Sequence, residues 1–230
     1  MGLFFSRSLP FKCFFPFIFP KKISEDFFPR QLESMMCLVA RTGRHLQRYD
    51  GGCRQVVGCI PYRYRRKGNQ NKELEVLVIS AQKGNGMQFP KGGWEIDESM
   101  EQAALRETIE EAGVVGSIEV SIRNRIFVSS LFANIAALFL TLCVLHVFLQ
   151  SKLGKWLYKS KRQDSVHEGY MFSLLVKKQL ENWPEKNIRN RRWMSVAEAK
   201  EVCPYTWMKE ALDVLVSRQN LNPSQKGERY

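Results

Sequence analysis

The sequence predicts an α/β fold over most of its 230 residues. Three observations carry that reading. Residues 55–64 (QVVGCIPYRY) and 74–80 (LEVLVIS) are rich in strand-forming residues and bounded by turn signals. Residues 99–112 read as a helix ended by Gly113, a residue type suited to the left-handed conformation that stops helices. Strand signals return at 155–160 and 170–176, and a C-terminal helical region comes after them.

Taken in order, residues 1–34 differ in character from the rest of the chain. Phe-rich stretches are punctuated by Arg7, Lys12, Lys21 and Lys22, with no acid before Glu25. The apolar core at 13–19 is short and broken by Pro16, which makes a poor secretory signal. A basic, acid-poor start leaves two readings, an organelle transit peptide or an unstructured extension. Residues 35–218 read as one domain. Its first two strands flank the polar loop RRKGNQNKE and are therefore expected to be neighbours. Residues 83–93 (KGNGMQFPKGG) read as a glycine-rich loop. Ser195 with Glu198 predicts a capping box, Pro204 interrupts the helical region it opens, and 207–218 resumes with Met208, Leu212 and Leu215 on one face. Residues 219–230 are expected to be a disordered tail.

A net charge of +12 favours polyanionic partners: polyphosphates, nucleic acid or an anionic membrane face. The six cysteines form no C-x-x-C pair, and three histidines supply no zinc spacing. A chain of this length stabilises itself by core burial, so the cysteines read as reduced thiols of an intracellular protein.

Residues 126–149 (IFVSSLFANIAALFLTLCVLHVFL) carry no charge and are long enough to span a bilayer. A buried helix of a soluble core is the alternative, although such helices usually show a polar stripe. Joining Glu119 to Ser151 gives GVVGSIESKLGKWLYKSK, a run that reads through without a break. The segment 120–150 begins Val-Ser, which GTA-AGT encodes, and ends Phe-Leu-Gln, which fits a pyrimidine-rich tract finishing in CAG. Those are the marks of a retained intron, so the stretch is expected to be an apolar helical insertion foreign to the domain.

Seven carboxylates crowd into the 17 residues from Glu95 to Glu111, against the basic balance of the chain. On a helix, Glu107, Glu110 and Glu111 fall within a sector of about 100°, opposite Ala104, Leu105, Thr108, Ile109 and Ala112. Like charges packed together repel and raise one another's pKa, an arrangement that a hard divalent cation such as Mg²⁺ relieves. The bland alternative is a solvated acidic face trimmed by an Arg106–Glu110 pair. The spacing weighs against it. Gly92, Glu98, Arg106, Glu107, Glu110, Glu111 and Gly113 stand in the pattern G-x5-E-x7-R-E-U-x-E-E-x-G-U, with Thr108 at a position usually aliphatic.

That pattern is the signature of the Nudix hydrolases, which the chain resembles over roughly residues 37–218 apart from the apolar stretch. FPKGGWEIDES, LGKWLYKSK and RRWM are similar to the plant branch akin to diphosphoinositol polyphosphate phosphohydrolases, several members of which are assigned to mitochondria. The resemblance implies an α/β/α sandwich with a mixed sheet, Mg²⁺ or Mn²⁺ as cofactor, and cleavage of a diphosphate linked to another moiety. It implies Glu107 and Glu111 as metal ligands, with Glu98 joining them through a water. Glu110 or a neighbour is expected to take the proton from the attacking water, and Arg106 belongs to the catalytic set by orienting the carboxylates. Gly92 and Gly93 bring backbone close to metal and diphosphate. Arg54 and the basic cluster Arg189–Arg192 are candidates for substrate phosphate, with Arg54 and Arg191 ranked ahead of Lys159, Lys161, Arg162 and His167 and ordinary surface solvation the alternative for each, and Trp94 reads as core.

Two functions fit these residues. The leading one is metal-dependent hydrolysis of a nucleoside-diphosphate-linked compound, a dinucleoside polyphosphate or a diphosphoinositol polyphosphate, in the mitochondrion or alternatively the cytoplasm or nucleus. The rival is a single-pass membrane protein binding anionic lipid or RNA. Nothing in the aromatic pattern suggests specific nucleic-acid recognition.

Overall fold

The computed structural model describes residues 39–67, 71–82, 86–119, 151–160 and 165–221, all within the unit Cys37–Tyr230. Its architecture grows from strands that are apolar on both faces. In β2 (Cys53–Lys67) Val57 and Cys59 point to one side while Ile60 and Tyr62 point to the other. In β3 (Asn71–Ser80) Leu77 and Ile79 alternate with Val76 and Val78 in the same way, and all eight side chains are inaccessible to solvent. A sheet so patterned must be covered twice.

The cover is helical on each side. Helix α1 (Met100–Ala112) lays Ala103, Ala104 and Ala112 on Val57, Leu77, Phe172 and Leu174. Helices α2 (Val196–Val202) and α3 (Thr206–Leu221) press Ala199, Met208, Leu212 and Leu215 on Ile60, Tyr62, Val78 and Met171. The result is the expected α/β/α sandwich. Truncating Leu212 or Leu215 to Ala would cost about 2–5 kcal/mol, the usual range for a fully buried leucine.

The sheet is mixed, as expected. β2 pairs antiparallel with β3 and parallel with β8 (Val166–Gln179), whose His167 lies opposite Arg54. The glycine-rich loop is more structured than its sequence suggests. It contains β4 (Met87–Gln88), paired with β3, and β5 (Lys91–Gly93), paired with β2 through Val56–Gly93, Val57–Gly92 and Gly58–Lys91. β9 (Arg191–Ser195) runs antiparallel to β3. A two-residue β1 (Tyr49–Asp50) folds back on β2.

On the far side of β8 two strands share one edge. β6 (Val114–Ile118) pairs with β8 from Gln179 to Leu174, and β7 (Lys152–Lys159) continues along the same strand from Phe172 to Val166. Residues 120–150, and with them the predicted apolar helix at 126–149, lie outside the described residues, as do 1–34. Among the described residues no helix is long and apolar enough to cross a membrane. The expected tail starts later than 219: α3 continues to Leu221, and Gln219 is buried with its amide nitrogen on Tyr62 Oη at 3.1 Å. Residues 222–230 lie outside the described residues.

Candidate active site

Helix α1 is fixed at both ends. Ser99 Oγ accepts the Gln102 N–H, and the Gln102 side chain accepts the Ser99 N–H at 2.8 Å, a reciprocal box worth about 1 kcal/mol. Gly113 adopts φ 62°, and a Cβ there would also collide with Trp183 and Arg191. Thr108, the residue that departs from the aliphatic pattern, is fully buried and donates its hydroxyl to Ala104 O at 2.7 Å.

The helix has no solvated acidic face. Glu107, Glu110 and Glu111 are each less than 10% exposed, which excludes the bland reading of the acidic run. Arg106 sits among the carboxylates. Its Nη2 and Nε grip Glu98 at 2.7 and 3.0 Å, Nη1 reaches Glu107 at 2.8 Å and Glu110 at 3.4 Å, and Nη2 also donates to Gly93 O at 2.9 Å. Burial opposes its charge, but these carboxylates outweigh burial and hold its pKa above the ordinary value. The guanidinium thus ties the loop before α1 to the helix itself. Glu98 is held by Arg106 and by the Glu95 N–H at 3.2 Å, so its place in this structure is as Arg106's anchor rather than as a group turned to a ligand.

Glu111 faces the other way. It accepts the Lys91 backbone N–H at 2.8 Å and pairs with Arg189, whose Nε also binds Glu185 at 2.5 Å and whose Nη1 donates to Ser80 O at 3.1 Å. Burial pushes Glu111 and Glu107 upward against their arginine partners, and burial, then the Glu107 charge, pushes Glu110 up to about 7. Three carboxylates, all raised mainly by desolvation, form a cluster short of positive charge.

Glu111 and Gly92 open onto a cavity of about 620 Å³. Arg44, Arg54, Lys91, Lys159, His167 and Arg189 bring basic groups to its lining, and Glu111 is its one carboxylate among the described residues. These groups sense one another. Burial and then Arg44 lower Arg54, while burial and then Arg54, Lys91 and Arg44 lower His167, as expected in a positive field. Arg54 is aimed by Gln47, which accepts its Nε at 2.9 Å while donating to Gln55 O and Trp94 O, each at 2.9 Å. Tyr158, stacked on Trp207 at 4.7 Å between centroids, supplies an aromatic wall.

The NUDIX domain family matches residues 54–215, which include all of these groups except Arg44 and Gln47. The chain belongs to the Nudix family. Nudix hydrolase 4 of Arabidopsis thaliana is 50% identical over 204 residues, covering 87% of this chain and 84% of that one. Nudix hydrolase 17, mitochondrial, from the same plant is 49% identical over 189 residues, covering 81% and 87%. Nudix hydrolase 21, chloroplastic, is 50% identical over 193 residues, covering 83% and 81%. An Ap4A hydrolase of C. elegans in a binary complex aligns with TM-score 0.46 at 19% identity, covering 71% and 95%. Family and relatives make this chain a Nudix-type pyrophosphohydrolase.

The predicted Nudix residues separate once placed in three dimensions. Glu111, Gly92 and Arg54 reach the cavity. Glu107 lies directly behind Gly92, where a Cβ would fall 2.0 Å from its carboxylate. Gly93 backs onto Gln47 and Arg54 instead, and a Cβ there would strike the Gln47 side-chain oxygen. Trp94 packs against the α1-side core, carries Arg48 on its ring at 4.4 Å and donates to Glu98 O at 3.0 Å, in keeping with a core role. Arg191 is not brought to the cavity. Its guanidinium donates to Ala112 O and Gly113 O at 2.9 Å each and to Leu180 O at 2.6 Å, and stacks on Trp183 at 3.9 Å. It braces the end of α1, and its near neighbour Arg189 takes the place expected for it. Gln47 was not visible as a site residue at all, because its partners lie 7, 8 and 47 positions away.

Nudix hydrolases generally use divalent metal ions such as Mg²⁺ or Mn²⁺. Among the described residues no three His, Cys, Asp or Glu groups stand as a preformed cage, and Arg106, Arg189 and the Lys91 N–H each take a carboxylate oxygen of Glu107, Glu110 or Glu111. The donor chemistry fits all the same. Buried oxygen ligands raised by desolvation suit a hard cation, and the space at Gly92 that a side chain would fill lies against Glu107.

Proposed function

We propose that this Nudix enzyme hydrolyses the diphosphate linkage of a polyphosphorylated small molecule with Mg²⁺ or Mn²⁺ held by Glu107 and Glu111. The observation that carries the proposal is the junction at Glu111, where a buried, charge-deficient carboxylate cluster meets a cavity walled by Arg44, Arg54, Lys91, Lys159 and Arg189. When bound, the cation supplies positive charge next to the phosphoryl oxygens and lowers the cost of charge building there.

The chain's own residues do the remainder. Arg54, set by Gln47, and Arg189, set by Glu185, hold phosphate oxygens in the cavity that Glu111 enters. Glu110 accepts the proton of the attacking water, and its raised pKa near 7 matches a base working at neutral pH. The water oxygen forms a bond to phosphorus, the bridging oxygen leaves with the other phosphate, and Arg106 keeps Glu107 and Glu110 in register throughout. The substrate classes with this chemistry are a nucleoside-diphosphate-linked compound, a dinucleoside polyphosphate and a diphosphoinositol polyphosphate. The mitochondrial names of some close relatives support a mitochondrial address.

The test is product release from one member of each substrate class, with and without Mg²⁺. Metal-dependent release from at least one supports the reading, and no release from any at millimolar Mg²⁺ or Mn²⁺ removes it.

A further inference from the structure

β6 and β7 are not two strands in two places. Along β8, Ile118 stands opposite Leu174 and Lys152 opposite Phe172. The position between them is taken as well, since the Glu119 N–H donates to Ser173 O at 3.2 Å. The chain therefore leaves the β8 edge and rejoins it with no ladder position skipped, although 32 residues lie between Glu119 and Lys152 in sequence. In an ordinary β-hairpin or crossover the second strand would pair elsewhere or run the other way. Here both pieces run antiparallel to β8, in the same direction, end to end.

Helix α3 pins both ends of this break through consecutive residues. Gln219 donates to the Glu119 carboxylate at 2.7 Å, and Arg218 donates to Lys152 O. Ser151 and Leu153 are each 5% exposed. The flanks are thus part of the finished core, held by described residues of α3.

We propose that β6 and β7 are the two halves of a single edge strand, that residues 120–150 are an insertion into it, and that the catalytic domain closes without them. Joining Glu119 to Ser151 leaves one surplus residue between the partners of Ser173 and Phe172. A β-bulge absorbs one such residue, and β7 already carries a register shift between Lys152 and Gly154. Closing a loop of this length costs chain entropy that the joined strand does not incur, so the deletion is expected to stabilise the domain.

The experiment compares three proteins: the full chain, a variant in which Glu119 is joined to Ser151, and a variant in which 120–150 is replaced by a glycine-serine linker of equal length. The joined variant is expected to melt at the full-chain temperature or up to roughly 5 °C above it, with Glu119 and Lys152 amides protected from exchange. Its kcat/KM on whichever diphosphate the full chain cleaves should lie within about threefold of the full chain's. An unfolded joined variant beside a folded linker variant would show that the halves are not one strand. Unfolding of the linker variant, or a loss of more than tenfold in kcat/KM in either, would show that the segment's own residues belong to the domain. The melting and exchange measurements decide the matter even if the full chain cleaves none of the substrates, an outcome that would count against the proposed activity alone.

Discussion

The carboxylate cluster on α1 and the basic wall of the cavity meet at Glu111, yet they handle charge in opposite ways. The cluster is tightly held: Arg106, 6% exposed, binds three glutamates and a backbone carbonyl. The wall is open, with basic groups lining a cavity that one carboxylate enters. Charge in the first region organises the site, and charge in the second recognises a ligand. Removing a buried partner strands other charges in low dielectric, whereas removing a cavity-lining one changes mainly what binds.

Arg106→Ala should therefore show the largest effect. It leaves Glu98, Glu107 and Glu110 without their shared partner, and a loss of about 3–5 kcal/mol in urea unfolding is expected. A loss under 1 kcal/mol would mean the network is ornamental. Glu111→Gln keeps the shape of the side chain and removes a charge from the proposed cation site. Turnover should fall at least about 100-fold, close to 3 kcal/mol of transition-state stabilisation, with the fold intact. Glu101→Gln, on the first turn of α1 and outside the cluster, is the control and should be close to neutral.

Recognition should break more gently. Arg54→Ala is expected to raise KM about tenfold with a smaller change in kcat, and added salt should mimic it by screening. Equal loss of kcat and kcat/KM would move Arg54 from the recognising region to the organising one. Arg191→Ala, which frees carbonyls at the end of α1, should instead lower thermal stability and leave the salt dependence of KM as it was.

The smallest effect is a pH slope in metal-free protein. Glu110 has a folded pKa near 7, above the ordinary carboxylate value, and Glu107 and Glu111 are shifted the same way. A raised acid contributes stability that is complete below its unfolded pKa and is lost as pH rises through the folded one. Chelated protein should thus melt lower at pH 8 than at pH 6, and added Mg²⁺ should raise the melting temperature more at pH 8. A metal-free melting temperature that climbs over this interval would contradict the charge deficit.

Legibility in the sequence differed between these regions for physical reasons. The organising region is local: α1, its Gly113 stop and the Arg106–Glu107–Glu110–Glu111 spacing fall within one stretch, so helical periodicity put the three glutamates in one sector and the Nudix resemblance implied their roles. The recognising region is assembled from β2, β5, β7, β8 and the approach to β9. Within the basic cluster Arg189–Arg192 the sequence reading ranked Arg191 first, whereas Trp183 and the end of α1 claim Arg191 and Arg189 lines the cavity. The short strands inside 83–93 have no period to read, since β4 has two residues and β5 three. The β6–β7 edge was the reverse case. The run GVVGSIESKLGKWLYKSK was visible in sequence as a break-free join, and the β8 register gives that join a ladder to fit.

The most direct measurement is Mg²⁺-dependent phosphate release, followed side by side for the unaltered chain and Glu111→Gln on a dinucleoside polyphosphate and a diphosphoinositol polyphosphate. Saturable, Mg²⁺-dependent release is expected from the unaltered chain, and a rate lower by at least about 100-fold from the variant at the same substrate and metal concentrations. Equal rates in the two proteins, or release indifferent to a chelator, would contradict a cation site built on the α1 carboxylates.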